Sequence, residues 1–135
     1  VDGKPYIMEL TPRGGGNRLS EMLRYITGVD LITAITRYIV GDSILEPIQQ
    51  RPCIGHWAEI ILHSNVSGIF DCIQIDREWP VTIVECDIWV KSGDCVENFQ
   101  GANAAIGTLV LRFDSEQDLE YCLAHQDKWI RVLIR

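Results

Sequence analysis

Asp2-Gly3-Lys4-Pro5-Tyr6-Ile7-Met8-Glu9-Leu10-Thr11-Pro12-Arg13-Gly14-Gly15-Gly16-Asn17 is the stretch that decides how the rest of the chain is read. Asp-Gly beside apolar residues signals a hairpin turn, because the tight turn needs positive φ at its centre. Pro5 to Leu10 reads as the strand leaving that turn. Only Val1 stands where the strand entering it belongs, so the expectation is a piece cut from a longer protein. Glu9 and Thr11 are two apart and share one strand face. Arg13 follows by two more, where the strand gives way to a loop. A carboxylate, a hydroxyl and a guanidinium are thus aimed into one space. Carboxylate oxygen suits Mg²⁺, and a guanidinium suits phosphate or carboxylate oxygens. Gly14, Gly15 and Gly16 let the backbone approach a ligand and expose its N–H groups. No Gly-Lys-Ser/Thr follows, so the loop is not a P-loop. The G-x-G-x-x-G spacing of a dinucleotide fingerprint is absent too.

Outward from this loop, the period changes to that of helices. Asn17 is placed to cap a helix with Leu19, Met22, Leu23 and Ile26 on one face, ended by Thr27-Gly28. Asp30 is placed to cap a second, with Leu31, Ala34, Ile35, Tyr38 and Ile39 as its stripe and Gly41 closing it. Asp42 to Gly55, with Pro47 and Pro52, reads as a linker. Strands are expected at 56–64, 68–76, 81–90 and 106–113, with a hairpin connection at Asn65 to Gly68 and a loop from Ser92 to Asn103. Val84, Cys86, Ile88 and Val90 are expected on one face of the third strand, Glu85 and Asp87 on the other. Asp114 with Gln117 suggests a capping box for a helix bearing Leu119, Cys122, Leu123 and Gln126. Ile130 to Ile134 reads as the last strand. The fold class is α+β: strand, glycine loop and two helices in residues 1–45, then a mostly antiparallel sheet with one C-terminal helix in 46–135.

The Glu-x-Thr-x-Arg strand end, the glycine loop and Thr27-Gly28-Val29-Asp30-Leu31 together resemble the end of the catalytic domain of ATP-grasp ligases. That family includes glycinamide ribonucleotide synthetase, carbamoyl-phosphate synthase and biotin carboxylase. The resemblance is close over residues 2–41 and looser over 55–135. It implies ATP and Mg²⁺ as cofactors, and carboxylate and amine substrates joined through an acyl phosphate. By position it implies Glu9 as a metal ligand, Thr11 beside it where the family usually has Asn, and Arg13 as the phosphate-contacting catalytic residue. Gly14, Gly15 and Gly16 match the loop lining the acceptor-substrate side. The family's adenine pocket and phosphate-covering loop are not recognisable in the chain, so no activity is expected of it alone. The alternative is a non-enzymatic regulatory or interaction module whose sheet binds a small ligand or partner subunit.

Composition narrows the classes. The 135 residues hold 47% apolar and 23% charged residues, a globular balance. A net charge of −7 argues against nucleic acid, and no apolar run reaches membrane-span length. Five cysteines without a C-x-x-C pair read as reduced and structural, in a cytoplasmic protein. His56, His63 and His125 lack metal-ligand spacing. Trp57, Trp79, Trp89 and Trp129 read as packing residues rather than base-stacking ones, as no basic groove accompanies them. Exposed strand edges are compatible with a homodimer.

Overall fold

A computed structural model describes residues 3–8, 14–16, 18–42 and 51–135. The chain forms two compact units, Val1–Cys53 and Ile54–Arg135. The division expected after residue 45 falls in 43–50, outside the described residues.

In the first unit, Gly3 has φ 69°, as an Asp-Gly turn requires. Residues 4–8 form no ladder, however, and Ile7 and Met8 are 87% and 99% exposed. A strand exists only by pairing, and among the described residues nothing pairs with this one. Two helices follow, α1 (Leu19–Thr27) and α2 (Leu31–Ile39). Gly28 ends α1 in the left-handed region at φ 74°, and its N–H bonds Arg24 O at 2.9 Å. Asp30 caps α2 as expected. Its Oδ1 accepts from Thr33 N at 2.9 Å, and Oδ2 accepts from the Thr33 hydroxyl at 3.0 Å. Arg24 Nη1 stands 3.7 Å from Oδ2. No residue of either helix is buried within the described structure. Ile32, Ile35, Tyr38 and Ile39 are exposed, so the α2 stripe is wider than its packing uses.

The Asp30 cap titrates. Its carboxyl is held below the ordinary Asp value, first by the Thr33 N–H, then by the Thr33 hydroxyl, with a smaller contribution from Arg24. A depressed folded pKa means the cap stabilises α2 above the unfolded pKa and is lost as pH falls through the folded one. The Thr33 amide proton shift is therefore expected to titrate with a midpoint below the ordinary Asp value. A midpoint at or above that value in an acid NMR titration would show that the cap does not hold in solution.

The second unit contains two antiparallel three-stranded sheets. One has the order β1 (His56–Leu62), β5 (Gly107–Phe113), β3 (Thr82–Ile88). The other has the order β4 (Cys95–Val96), β2 (Gly68–Ile75), β6 (Ile130–Ile134). The expected hairpin at Asn65 to Gly68 is therefore corrected. β1 pairs with β5 and β2 with β6, so the connection crosses from one sheet to the other. Ser64 stabilises that crossing: its hydroxyl donates to Val66 O at 2.6 Å and accepts from Val66 N at 3.1 Å. The two-residue β4 lies inside the stretch read as a loop, too short to carry a period.

The central strand β5 explains why this unit holds together. Leu109, Val110 and Leu111 are fully buried, and Thr108 and Phe113 nearly so, which puts both strand faces out of water. A continuous apolar run is what such a strand requires. Ile60, Leu62, Phe70, Trp129 and Ile130 complete the core. On β3 a bulge falls between Ile83 and Glu85. Val84 is therefore not in register with Cys86 and Ile88 as alternation expects, while Glu85 and Asp87 do share the other face. Gly55 enters β1 at φ 82°. A Cβ there would stand 2.8 Å from Phe113 O, so both the backbone and the space demand glycine.

Two 3-residue and shorter features aside, the last helical region is α3 (Glu116–Ala124) and the single turn α4 (Gln126–Trp129). The cap of α3 is Ser115 rather than Asp114. Ser115 Oγ accepts from Asp118 N at 3.0 Å and donates to Asp118 Oδ2 at 2.6 Å. The capping box is thus shifted by one residue, Ser115 with Asp118, and Asp114 faces Arg112 at 3.7 Å. Trp79 stacks on both Tyr121 and Trp129, in keeping with the expectation that Trp79 and Trp129 are packing residues. No helix among the described residues is long and apolar enough to cross a membrane.

Candidate functional site

Glu9, Thr11 and Arg13 lie outside the described residues, as does Asn17. The structure does place the glycine loop. Gly14, Gly15 and Gly16 run directly into α1, and Gly16 O accepts from Leu19 N at 3.3 Å. A Cβ on Gly14 would collide with the Ser20 hydroxyl, and one on Gly15 would stand 2.8 Å from Leu19 Cδ2. The loop thus lies against the first turn of the helix, where a side chain at 14 or 15 would require Ser20 or Leu19 to move aside. At Gly16 the space is open. The glycines therefore bring main chain, rather than side chains, to the start of a helix.

The cap position of α1 is Arg18, not Asn17. It adopts the left-handed region at φ 58°, ψ 23°, and its own side chain makes no capping hydrogen bond. A left-handed non-glycine residue costs about 1–3 kcal/mol and concentrates at functional sites. Arg18 Nε stands 3.7 Å from Glu21 Oε1 within the same turn. A cation at a helix N-terminus opposes the helix dipole, so Arg18 needs negative charge close by. Glu21 supplies one such charge, and a bound anion would supply more. Sequence reasoning passed over Arg18. The available signal was a basic residue directly before an apolar-periodic run that begins with a glycine loop.

These features suit an anionic ligand. N–H groups at a helix start, glycines beside them and a flanking guanidinium are what phosphate oxygens use. For a divalent cation the described residues offer no group of three or more His, Cys, Asp or Glu side chains. Two of the histidines lie against aromatic rings, His63 against Phe99 at 4.4 Å and His125 against Tyr121 at 4.6 Å. Cys122 is buried, and desolvation followed by Asp118 pushes its thiol up, which suits an inert cysteine.

The glycine loop leading into two short helices, followed by an α+β unit with antiparallel sheets, matches the fold of part of two ATP-grasp ligase structures. Phosphoribosylglycinamide synthetase from Anaerococcus prevotii matches with a TM-score of 0.69 and 22% identity, over 96% of this chain and 34% of that one. The L-amino acid ligase from Bacillus licheniformis matches with a TM-score of 0.70 and 17% identity, over 99% of this chain and 34% of that one. At these identities the likeness establishes the fold. The chain spans about a third of the length of each of these structures. No family model matches the chain, and no curated protein does.

Proposed function

We propose that the chain is a segment of an ATP- and Mg²⁺-dependent carboxylate–amine ligase that works through an acyl phosphate and is inactive by itself. One observation supports the reading: nearly the whole chain shares its fold with a phosphoribosylglycinamide synthetase and an L-amino acid ligase, and its sequence opens on Glu9-x-x-x-Arg13 and the glycine run. In this reading a substrate carboxylate attacks the γ-phosphate of ATP, ADP leaves, and an amine displaces phosphate from the acyl phosphate. Arg13 donates to phosphoryl oxygens as charge moves onto them. Gly14 to Gly16 and the start of α1 bring N–H groups to the same anion, with Arg18 at its edge. Glu9, with Thr11 beside it, would hold Mg²⁺, which neutralises charge between the phosphates. A hydroxyl in place of the family's amide oxygen makes Thr11 the weaker ligand.

The test compares two polypeptides. The isolated 135-residue chain is expected to release no ADP from ATP. A longer polypeptide carrying this segment together with a nucleotide-binding region is expected to release ADP only when a carboxylate is present, and to yield hydroxamate when hydroxylamine replaces the amine. ADP release with no hydroxamate would remove the acyl phosphate. Robust turnover by the isolated chain would remove the fragment reading. A regulatory module would show neither ADP nor hydroxamate in either polypeptide.

A further inference from the structure

The second unit holds a cavity of about 490 Å³ at the place where the chain crosses between the sheets. It is bounded by the end of β1, the crossing residues after it, the end of α3, the start of α4 and β6. Its size falls within the range of small-molecule sites. Leu62 and Ile130, 2% and 7% exposed, form an apolar floor. Ser64 is spent on Val66 and offers nothing. His63 Nδ1 lies 3.2 Å from Ile61 O. A carbonyl only accepts, so the contact fits the tautomer with its proton on Nδ1, which leaves Nε2 as an acceptor. The ring is held by Phe99, which fixes its orientation. Asp127 supplies a carboxylate, the one formally charged side chain of the described lining, and Asn65 and Gln126 bring amides that both donate and accept. Among the described residues no Lys or Arg lines the cavity.

We propose that this cavity binds a small amphipathic amine, its apolar body on Leu62 and Ile130 and its ammonium among His63, Asp127 and the two amides. The Asp127 carboxylate, with no Lys or Arg in the described lining, repels phosphates and carboxylates and favours a positively charged donor. The apolar floor selects against a bare inorganic cation, which needs a full shell of oxygen ligands. The site lies wholly within the second unit, so it stands or falls independently of the ligase reading.

The test uses three probes of one shape: n-pentylamine, n-pentanol and pentanoate, titrated into the 135-residue chain and followed by ¹H–¹⁵N NMR. Saturable shifts centred on His63, Asn65 and Gln126 are expected for the amine, with roughly millimolar affinity. Asp127→Asn is expected to weaken the amine about fivefold while leaving the weaker alcohol unchanged. Asp127 is exposed, so the variant folds, and an unchanged spectrum elsewhere verifies this. Pentanoate binding as tightly as the amine would overturn the proposal. So would the absence of saturable shifts for all three probes, or shifts confined to other residues.

Discussion

Replacing Arg13 by Ala, in a polypeptide that carries this segment within a complete ligase, is expected to lower kcat by about 10²–10³, the loss seen when one preorganised donor to a developing anion is removed. The reason is that phosphoryl transfer leaves the protein little to do besides positioning and neutralising charge. Glu9→Ala is expected to cost at least as much, because it removes the proposed metal carboxylate and leaves the phosphates' charge uncompensated. Thr11→Ala should cost less, about tenfold, since a hydroxyl is the weaker hard-oxygen ligand. Arg13→Lys should recover only part of the loss, because an ammonium lacks the planar fork that grips two oxygens. The measurement is ADP release under saturating ATP, with kcat and KM separated. A fall in kcat with KM for ATP little changed assigns Arg13 to the transition state. Near-unchanged turnover in both Glu9→Ala and Arg13→Ala would sink the site assignment.

The sequence shows helix starts and stops in this chain well, because they are local chemistry. Asp30 as a cap and Gly28 as a left-handed terminator depend on neighbours within three residues. The same locality explains the error at α3. Asp114, Ser115, Gln117 and Asp118 offer two boxes one residue apart, and composition alone does not choose between them. The structure chooses Ser115, whose backbone is extended at φ −135°, ψ 155°. The strands were legible as strands because β5, β1 and β6 carry apolar residues at the right period. Their pairing was not. Whether β1 turns back on β2 or crosses to β5 depends on contacts more than 40 residues away in sequence, as between His56 and Phe113, and no short-range signal encodes that.

The candidate site divides in the same way. Glu9, Thr11 and Arg13 stand out in the sequence because alternation along a strand would put them on one face, an expectation about residues outside the described ones. The close packing of Gly14 and Gly15 on Ser20 and Leu19 was not readable, since it depends on how far the loop folds back on α1. Nor was Arg18, whose role comes from a backbone angle. The cavity in the second unit was equally hidden. His63, Asn65, Gln126 and Asp127 are about 60 residues apart in two pairs, and they meet only because the β1–β2 connection crosses between sheets.

Trp129→Ala is expected to be the most damaging single change to the fold, lowering the stability of the second unit by about 3–5 kcal/mol. Trp129 is 1% exposed, so its loss opens a large cavity in the core. Its ring also lies 6.1 Å from Trp79, nearly parallel, and Trp79 stacks in turn on Tyr121. A second cost is polar. Trp129 Nε1 donates to Cys122 O at 3.0 Å. That carbonyl belongs to the last turn of α3, where helix carbonyls lack partners of their own. Removing the donor leaves a buried acceptor unsatisfied, worth about 1–3 kcal/mol within that total. The two contributions separate with a second variant. Trp129→Phe keeps much of the ring volume but deletes the N–H, and is expected to cost about half as much as the alanine. Against a margin of about 5–15 kcal/mol for an ordinary domain, the alanine variant sits near the edge of folding. With a urea m-value of about 2 kcal/mol/M, its midpoint should fall by about 2 M. The fluorescence of Trp79 provides the reading, since that residue survives in both variants. A midpoint shift in Trp129→Ala no larger than in Trp129→Phe would show that the core refills the space, and that the hydrogen bond to Cys122 accounts for the whole effect.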